Sequence, residues 1–220
     1  MTPDPDTLAP LTRENLAAHT VEVLNRGGWG NPDVLLVRSG GVDVVVKDYE
    51  PRAAWVRATI GRLATSREIA VYRALRGSPG VPRLLGRIDG LAFALEYRPG
   101  TRLSRKLAPC VPREFFDELT AAVDGIHARG VVHLDLRHRS NVLLGRDGHP
   151  VLIDFATALR FRRGSPARWL LLPVLRWFDR AALRKWRVRL YPPDSAGSEG
   201  ASSGSGSGAS EGARGASRPT

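Results

Sequence analysis

The amino-acid sequence predicts an α+β protein of two lobes, a hairpin-rich half followed by a helical half. Three observations carry that reading. The β-branched runs come first in the chain, and the longest helical pattern follows them. Paired apolar runs are separated by turn signals at Ser39-Gly40-Gly41 and at Asp89-Gly90. A further apolar pair, joined across Arg146-Asp147-Gly148, comes after the long helix.

In chain order, residues 33–38 (DVLLVR) and 42–47 (VDVVVK) read as the first hairpin. Residues 65–75 (TSREIAVYRAL) predict a helix stopped by Gly77 and Pro79. Residues 83–88 and 91–97 predict a second hairpin. A long helix is expected over 112–128, with Phe115, Phe116, Leu119, Val123 and Ile126 at helical spacing and Gly130 as its stop. Short strands follow at 141–144 and 151–153. After Pro173 the spacing predicts another helix, with Leu175, Phe178, Ala182 and Trp186 turned inward and Arg176, Arg180, Arg184 and Arg187 alongside. Residues 1–15 are expected to be loosely held. The Gly/Ser-rich stretch 194–220 has no apolar residue larger than Ala and is expected to be disordered.

Composition narrows the function classes. One cysteine, Cys110, excludes an intrachain disulfide framework and a thiolate zinc cluster. The first residues lack the basic start and apolar run of a signal peptide. The longest apolar stretch, residues 169–175, has seven residues and contains Pro173, too short to span a bilayer. A soluble, cytoplasmic chain is the expectation. Of 33 basic residues only Lys47, Lys106 and Lys185 are lysine, and the net charge is +11. That charge is local: residues 1–154 carry +3, whereas residues 155–193 carry ten basic residues and one acid. The excess therefore belongs to a Trp/Arg-rich stretch, read here as a basic extension over 161–193. An anionic membrane surface suits residues 160–190, because Trp and Arg both favour an interface. Nucleic acid is the weaker partner, since no recognition motif accompanies the charge.

Four features bear on chemistry. Residues 26–31 (RGGWGN) form a glycine-rich turn, whose Gly27, Gly28 and Gly30 would let backbone amides approach phosphates. Lys47 ends the VDVVVK strand, and Glu68 follows on the first helix. A strand lysine can bridge the α and β phosphates of ATP while a helix glutamate holds it; the alternative is two solvated side chains. In VVHLDLRHRSNVLL, Asp135 could orient the proton of an attacking hydroxyl and Asn141 could ligate Mg²⁺; the alternative is a loop capped by the two. In VLIDFA, Asp154 follows a buried-looking strand, where a carboxylate is costly unless paired or metal-bound.

In series, these features resemble the signature set of the protein-kinase-like superfamily over about residues 25–160. The resemblance implies a two-lobed protein-kinase-like fold with a reduced C-terminal lobe, its kinase-like domain spanning 16–160. It implies ATP and Mg²⁺, with Lys47, Glu68 and Asp135 as catalytic residues and Asn141 and Asp154 as metal ligands. LEYRPG looks like the inter-lobe hinge, so Glu96 and Tyr97 would hold the adenine through their backbone. Several departures narrow the resemblance. Leu134 stands where an Arg is usual, Asn141 comes one residue late so that a bulge or Ser140 must compensate, and Ala156 replaces a Gly. No Ala-Pro-Glu follows Asp154. These traits resemble the RIO-type and lipopolysaccharide (Kdo/heptose) kinases. A protein Ser/Thr hydroxyl is the expected acceptor, with a lipid-linked sugar at the inner membrane face as the alternative. A non-catalytic pseudokinase is the rival, motivated by the degenerate glycine loop and the late Asn141.

Overall fold

The computed structural model describes residues 11–138 and 140–191. Residues 1–10, the expected disordered tail, Pro192 and Pro193 lie outside the described residues. Strands β1 (Thr20–Asn25), β2 (Asp33–Ser39), β3 (Val42–Asp48), β4 (Leu84–Arg87) and β5 (Ala92–Glu96) form an antiparallel sheet in the order β1-β2-β3-β5-β4. Both faces of β3 are covered, which explains its unbroken valines. Alternation sends Val44 and Val46 to one face, packed with Val37, Ala92, Ala94 and Leu16. Val45 and Lys47 point to the other face and line a cavity. The period of two thus buries a lysine in the middle of the protein.

Helix α1 (Arg13–His19) covers the valine face through Leu16. Arg13 holds it there, donating to Asp48 and to Asp89 at 2.7 Å each. The expectation of loose attachment is corrected for residues 11–15 only, the rest of that stretch lying outside the described residues, and β1 is a strand the sequence reading missed. Its residues are mostly exposed, and the alternation Val21-Glu22-Val23 is the signal that could have found it.

Between β3 and β4 the helical run starts eleven residues before the expected position. It opens as α2 (Ala54–Val56), widens through a π-helical turn at Arg57–Gly61 and continues as α3 (Arg62–Ala74). Only Val56 and Gly61 are buried in its first part, and the helical spacing of Val56, Ile60 and Leu63 is the signal that could have found it. The remaining elements are β6 (Gly100–Arg102), a 3₁₀ helix (Arg105–Cys110), α4 (Phe115–Ala128), β7 (Val131–Val132), β8 (Val142–Gly145), β9 (Pro150–Leu152), β10 (Leu159–Arg160) and α5 (Pro166–Leu190). Strands β6, β8 and β9 form a three-stranded antiparallel sheet, and β7 pairs with β10. The whole is a mixed α+β structure. Its main core joins Ile69 and Tyr72 of α3, and Leu75 just after it, to Phe93 and Leu95 of β5 and Phe115, Leu119 and Ile126 of α4.

Helix α5 corrects two expectations. It begins at Pro166, capped by the Ser165 hydroxyl accepting from the Arg168 amide at 3.2 Å, and runs straight through Pro173. Pro173 lies on the exposed side, where the carbonyl it leaves without a donor can meet water. Its buried residues are Leu172, Asp179, Ala182, Leu183, Trp186 and Leu190, whereas Phe178 is exposed. Ala182, Leu183, Trp186 and Leu190 join the main core, so the helix packs inward, as expected for Ala182 and Trp186.

Trp186 is 1% exposed, and its indole N–H donates to the Leu136 carbonyl at 2.9 Å. Trp186→Ala removes a large buried ring and is expected to cost about 3–5 kcal/mol in chemical denaturation. A loss under about 1 kcal/mol would contradict this packing.

Candidate active site

Lys47 and Glu68 meet across the interface between β3 and α3, Nζ to Oε1 at 2.7 Å. Twenty-one residues separate them in sequence, and burial leaves them 6% and 2% exposed. The same ammonium donates to Asp154 Oδ1 at 2.7 Å, from the loop after β9. Burial works against the charged ammonium, but Glu68 and Asp154 outweigh it and raise Lys47 above its ordinary value. Burial also opposes ionisation of Asp154, and Lys47 again prevails, holding that carboxyl below its ordinary range. The lysine thus remains charged and Asp154 ionised across the neutral range.

Lys47 and Asp154 line a cavity of about 300 Å³. Val34, Val45 and Leu95 give it an apolar wall, while Asn141 and Ser140 close the side beneath. Glu96 and Tyr97 line it as expected. The Glu96 carboxylate, however, is turned aside: it accepts from the Arg83 amide at 3.0 Å and lies 3.0 Å from Arg98 Nε. Any adenine contact at Glu96 would therefore come from its backbone.

The catalytic-loop candidates converge despite the extra residue. Turns from His138 N–H to the Asp135 carbonyl (3.3 Å) and from Asn141 N–H to the His138 carbonyl (3.2 Å) take up the added length. Asn141 Nδ2 then donates to the Asp135 carbonyl at 3.0 Å and to its Oδ2 at 2.9 Å. Asn141 itself reaches the site, and Ser140 donates to Asn141 Oδ1 at 3.0 Å. Asp135 and Glu68 do not line the cavity wall.

The glycine-rich turn links β1 to β2 and stands outside the cavity lining. A Cβ on Gly27 would lie 2.1 Å from the Asn31 carbonyl oxygen, so only glycine fits there. The Gly27 amide already donates to Asp33 at 2.8 Å, and Arg52, paired with Asp33, donates to the Gly27 and Gly28 carbonyls at 2.6 and 3.0 Å. Gly27 thus serves the turn. Gly28 and Gly30 have open space around them and remain the candidates for a phosphate.

Sequence reasoning missed Asp179. This α5 carboxylate, 1% exposed, accepts from the His133 and Leu134 amides at 2.8 Å each and lies 2.9 Å from His127 Nε2. Leu134 and Asp154 both have left-handed backbones, with φ of 68° and 64°. Non-glycine residues rarely adopt that region, and Asp179 holds the first of these segments in it. Asp179 is the single acid among residues 155–193, which is the signal that could have found it. Tyr72, which lines the cavity, meets Phe155 edge-on, and His133 packs tilted against the same ring, with centroids 5.2 and 4.7 Å apart.

Among the described residues no cluster of three or more His, Cys, Asp or Glu side chains could hold a metal by itself. Asp154 and Asn141 offer two hard oxygens at one cavity wall, and Asp154 is held ionised. That set fits Mg²⁺, which keeps waters and takes phosphate oxygens to complete its shell.

No protein-family model matches the chain. The curated proteins it is similar to include Ser/Thr protein kinases. It is 36% identical over 80 residues to the Ser/Thr-protein kinase Warts of Drosophila melanogaster, covering 34% of the chain and 7% of that protein. It is 24% identical over 153 residues to the kinase cot-1 of Neurospora crassa, covering 66% of the chain and 25% of that protein. With CBL-interacting Ser/Thr-protein kinase 16 of Arabidopsis thaliana it shares 36% over 140 residues, or 59% of the chain and 29% of that protein. The chain therefore spans less than a third of each of these relatives. The similarity supports the protein-kinase-like superfamily and does not reach the RIO-type or lipopolysaccharide-kinase subtype expected from sequence.

His133 supplies a pH test. Burial holds it below the ordinary imidazole value of 6.5, and Asp179 opposes that only in part. Its Nε2 lies 3.1 Å from the Ile153 carbonyl, which can only accept, so the neutral ring donates there. The unfolded chain binds a proton that the folded one refuses, so stability rises with pH through the window below 6.5. Urea titrations at several pH values are expected to show this rise in the wild type and a shallower one in His133→Asn. Identical slopes would contradict a neutral buried His133.

Proposed function

We propose that the chain is an ATP- and Mg²⁺-dependent phosphotransferase acting on a protein Ser/Thr hydroxyl, with a two-lobed kinase-like architecture. The observation that carries the reading is that Lys47 and Asp154 of the cavity lining meet each other and Glu68, while Asn141, also in the lining, donates to Asp135. Similarity to Ser/Thr protein kinases supports the same class.

In this reading the apolar wall of Val34, Val45 and Leu95 takes the base, and the backbone at Glu96 and Tyr97 orients it. Lys47, positioned by Glu68, holds the phosphates. Asp154 and Asn141 hold Mg²⁺, which supplies charge neutralisation on the phosphate oxygens when bound. Asp135 accepts the proton of the attacking hydroxyl as its oxygen bonds to the γ-phosphorus and the bond to the β-γ bridging oxygen breaks, releasing ADP. Positioning and charge account for most of the acceleration. The Asn141–Asp135 contact favours catalysis over a binding-only pseudokinase.

A lipid-linked sugar is the second acceptor class, favoured by the Trp-bearing outer face of α5. The segment after Asp154 is short and tied down: Thr157 Oγ1 donates to the His133 carbonyl at 3.1 Å, and Phe161 N–H to the Gly130 carbonyl at 2.8 Å. With Leu134 where a phosphate-reading Arg would stand, regulation by phosphorylation there is not expected.

ATP turnover is expected to fall at least about a hundredfold in Asp135→Ala and in Asp154→Ala. Equal rates in all three proteins would overturn the enzyme reading. Mass spectrometry of the active protein is expected to find activity without phosphorylation between residues 154 and 169. A strict requirement for a phosphate there would contradict the fixed segment.

A further inference from the structure

Helix α5 has two apolar faces, and the core uses one of them. Asp179, Ala182, Leu183, Trp186 and Leu190 face inward. At 100° per residue, Leu170, Val174, Trp177 and Val188 fall within about 60° of one another on the opposite side. All four are exposed, at 66%, 61%, 59% and 66%. Trp169, 84% exposed, stands beside this stripe at the N-terminal end.

Cations border the stripe on both sides. On the helix wheel Arg180 and Arg184 flank one edge, and Lys185 and Arg189 the other. The only acid of the helix, Asp179, is on the buried face, occupied by the His133 and Leu134 amides. Arg180 lies 3.1 Å from Asp124 of α4, and Arg189 sits over the Trp186 ring. Arg162 and Arg163, both exposed, extend the positive rim before the helix begins. Among the described residues no helix is long and apolar enough to cross a membrane.

From this arrangement we infer that the outer face of α5 is a docking surface for an anionic lipid bilayer. An apolar stripe between cationic edges is the geometry of a helix lying in the interface plane. Trp, Leu and Val enter the acyl boundary, while long basic side chains reach out to the headgroups. The charge decides between occupants. A second copy of the chain would bring the same cations against these, whereas a surface of anionic headgroups neutralises both rims at once. The inner face of the same helix carries the catalytic-loop contacts, Asp179 to His133 and Leu134 and Trp186 to Leu136. Docking would therefore hold that loop roughly one helix diameter, ~10 Å, from the lipid surface.

The full chain should be sedimented with vesicles of phosphatidylcholine alone and of phosphatidylcholine with phosphatidylglycerol, at low and at high salt. Association is expected with the anionic vesicles, weakening as salt rises, and not with the neutral ones. Val174→Asp with Trp177→Asp, and separately Arg184→Glu with Lys185→Glu, should each lower the partition coefficient about tenfold or more with the helical spectrum intact. If a double variant fails to fold, quenching of wild-type tryptophan fluorescence by brominated lipid replaces it, and absence of quenching counts against the proposal. No association with anionic vesicles at low salt overturns it, as does equal association of wild type and folded variants. A wild-type dimer in sedimentation equilibrium that Val174→Asp with Trp177→Asp dissociates would assign the stripe to a second copy instead. The assay uses no ATP, so its failure leaves the phosphotransferase reading untouched.

Discussion

A buried ammonium is the constraint around which the structure is arranged. Lys47 sits on a central strand covered on both faces, where an isolated charge would be costly. Two carboxylates from distant parts of the chain meet it, Glu68 on α3 and Asp154 after β9. Satisfying one lysine therefore fixes α3 against the five-stranded sheet and brings the segment after β9 up beneath them. The cavity lies where these elements converge.

The second support is Asp179. Its carboxylate takes the two backbone amides before Asp135, and Trp186 one turn pair further along takes the Leu136 carbonyl. The catalytic loop candidate is thus bound on both sides of Asp135 by one helix. Without it the left-handed backbone at Leu134 would have no partner to hold it.

Much of the site was legible because its residue types are expensive or rare in their settings. A lysine after three valines, in a chain of arginines, and an aspartate after an apolar strand both demand partners. Spacing alone could not say whether Asn141 or Ser140 would return to Asp135. Two consecutive turns decide that, and turns of this kind leave no periodic pattern. The hairpins were read within a residue or two because β-branched runs between glycine turns are strong signals. Strand β1 and the start of the long helical run escaped although each carries apolar residues at the right spacing, Val21 and Val23 in one and Val56, Ile60 and Leu63 in the other. The inward face of α5 was read correctly at Ala182 and Trp186 and misread at Phe178, which was expected inside whereas Asp179 took that side. A buried acid on a helix of arginines is the reverse of what amphipathic patterning suggests. Hydrogen bonds to the loop act together with burial of Ala182, Leu183, Trp186 and Leu190 to set that helix's rotation.

The central claim is that the lysine-centred cavity is a nucleotide site. Calorimetric titration of Mg-ATP into the full wild-type chain and into Lys47→Met tests it most directly. Saturable one-to-one binding that requires Mg²⁺ and is lost in a folded Lys47→Met protein is the result this account predicts. A wild-type protein that shows no binding, or a folded variant that binds equally well, would contradict it.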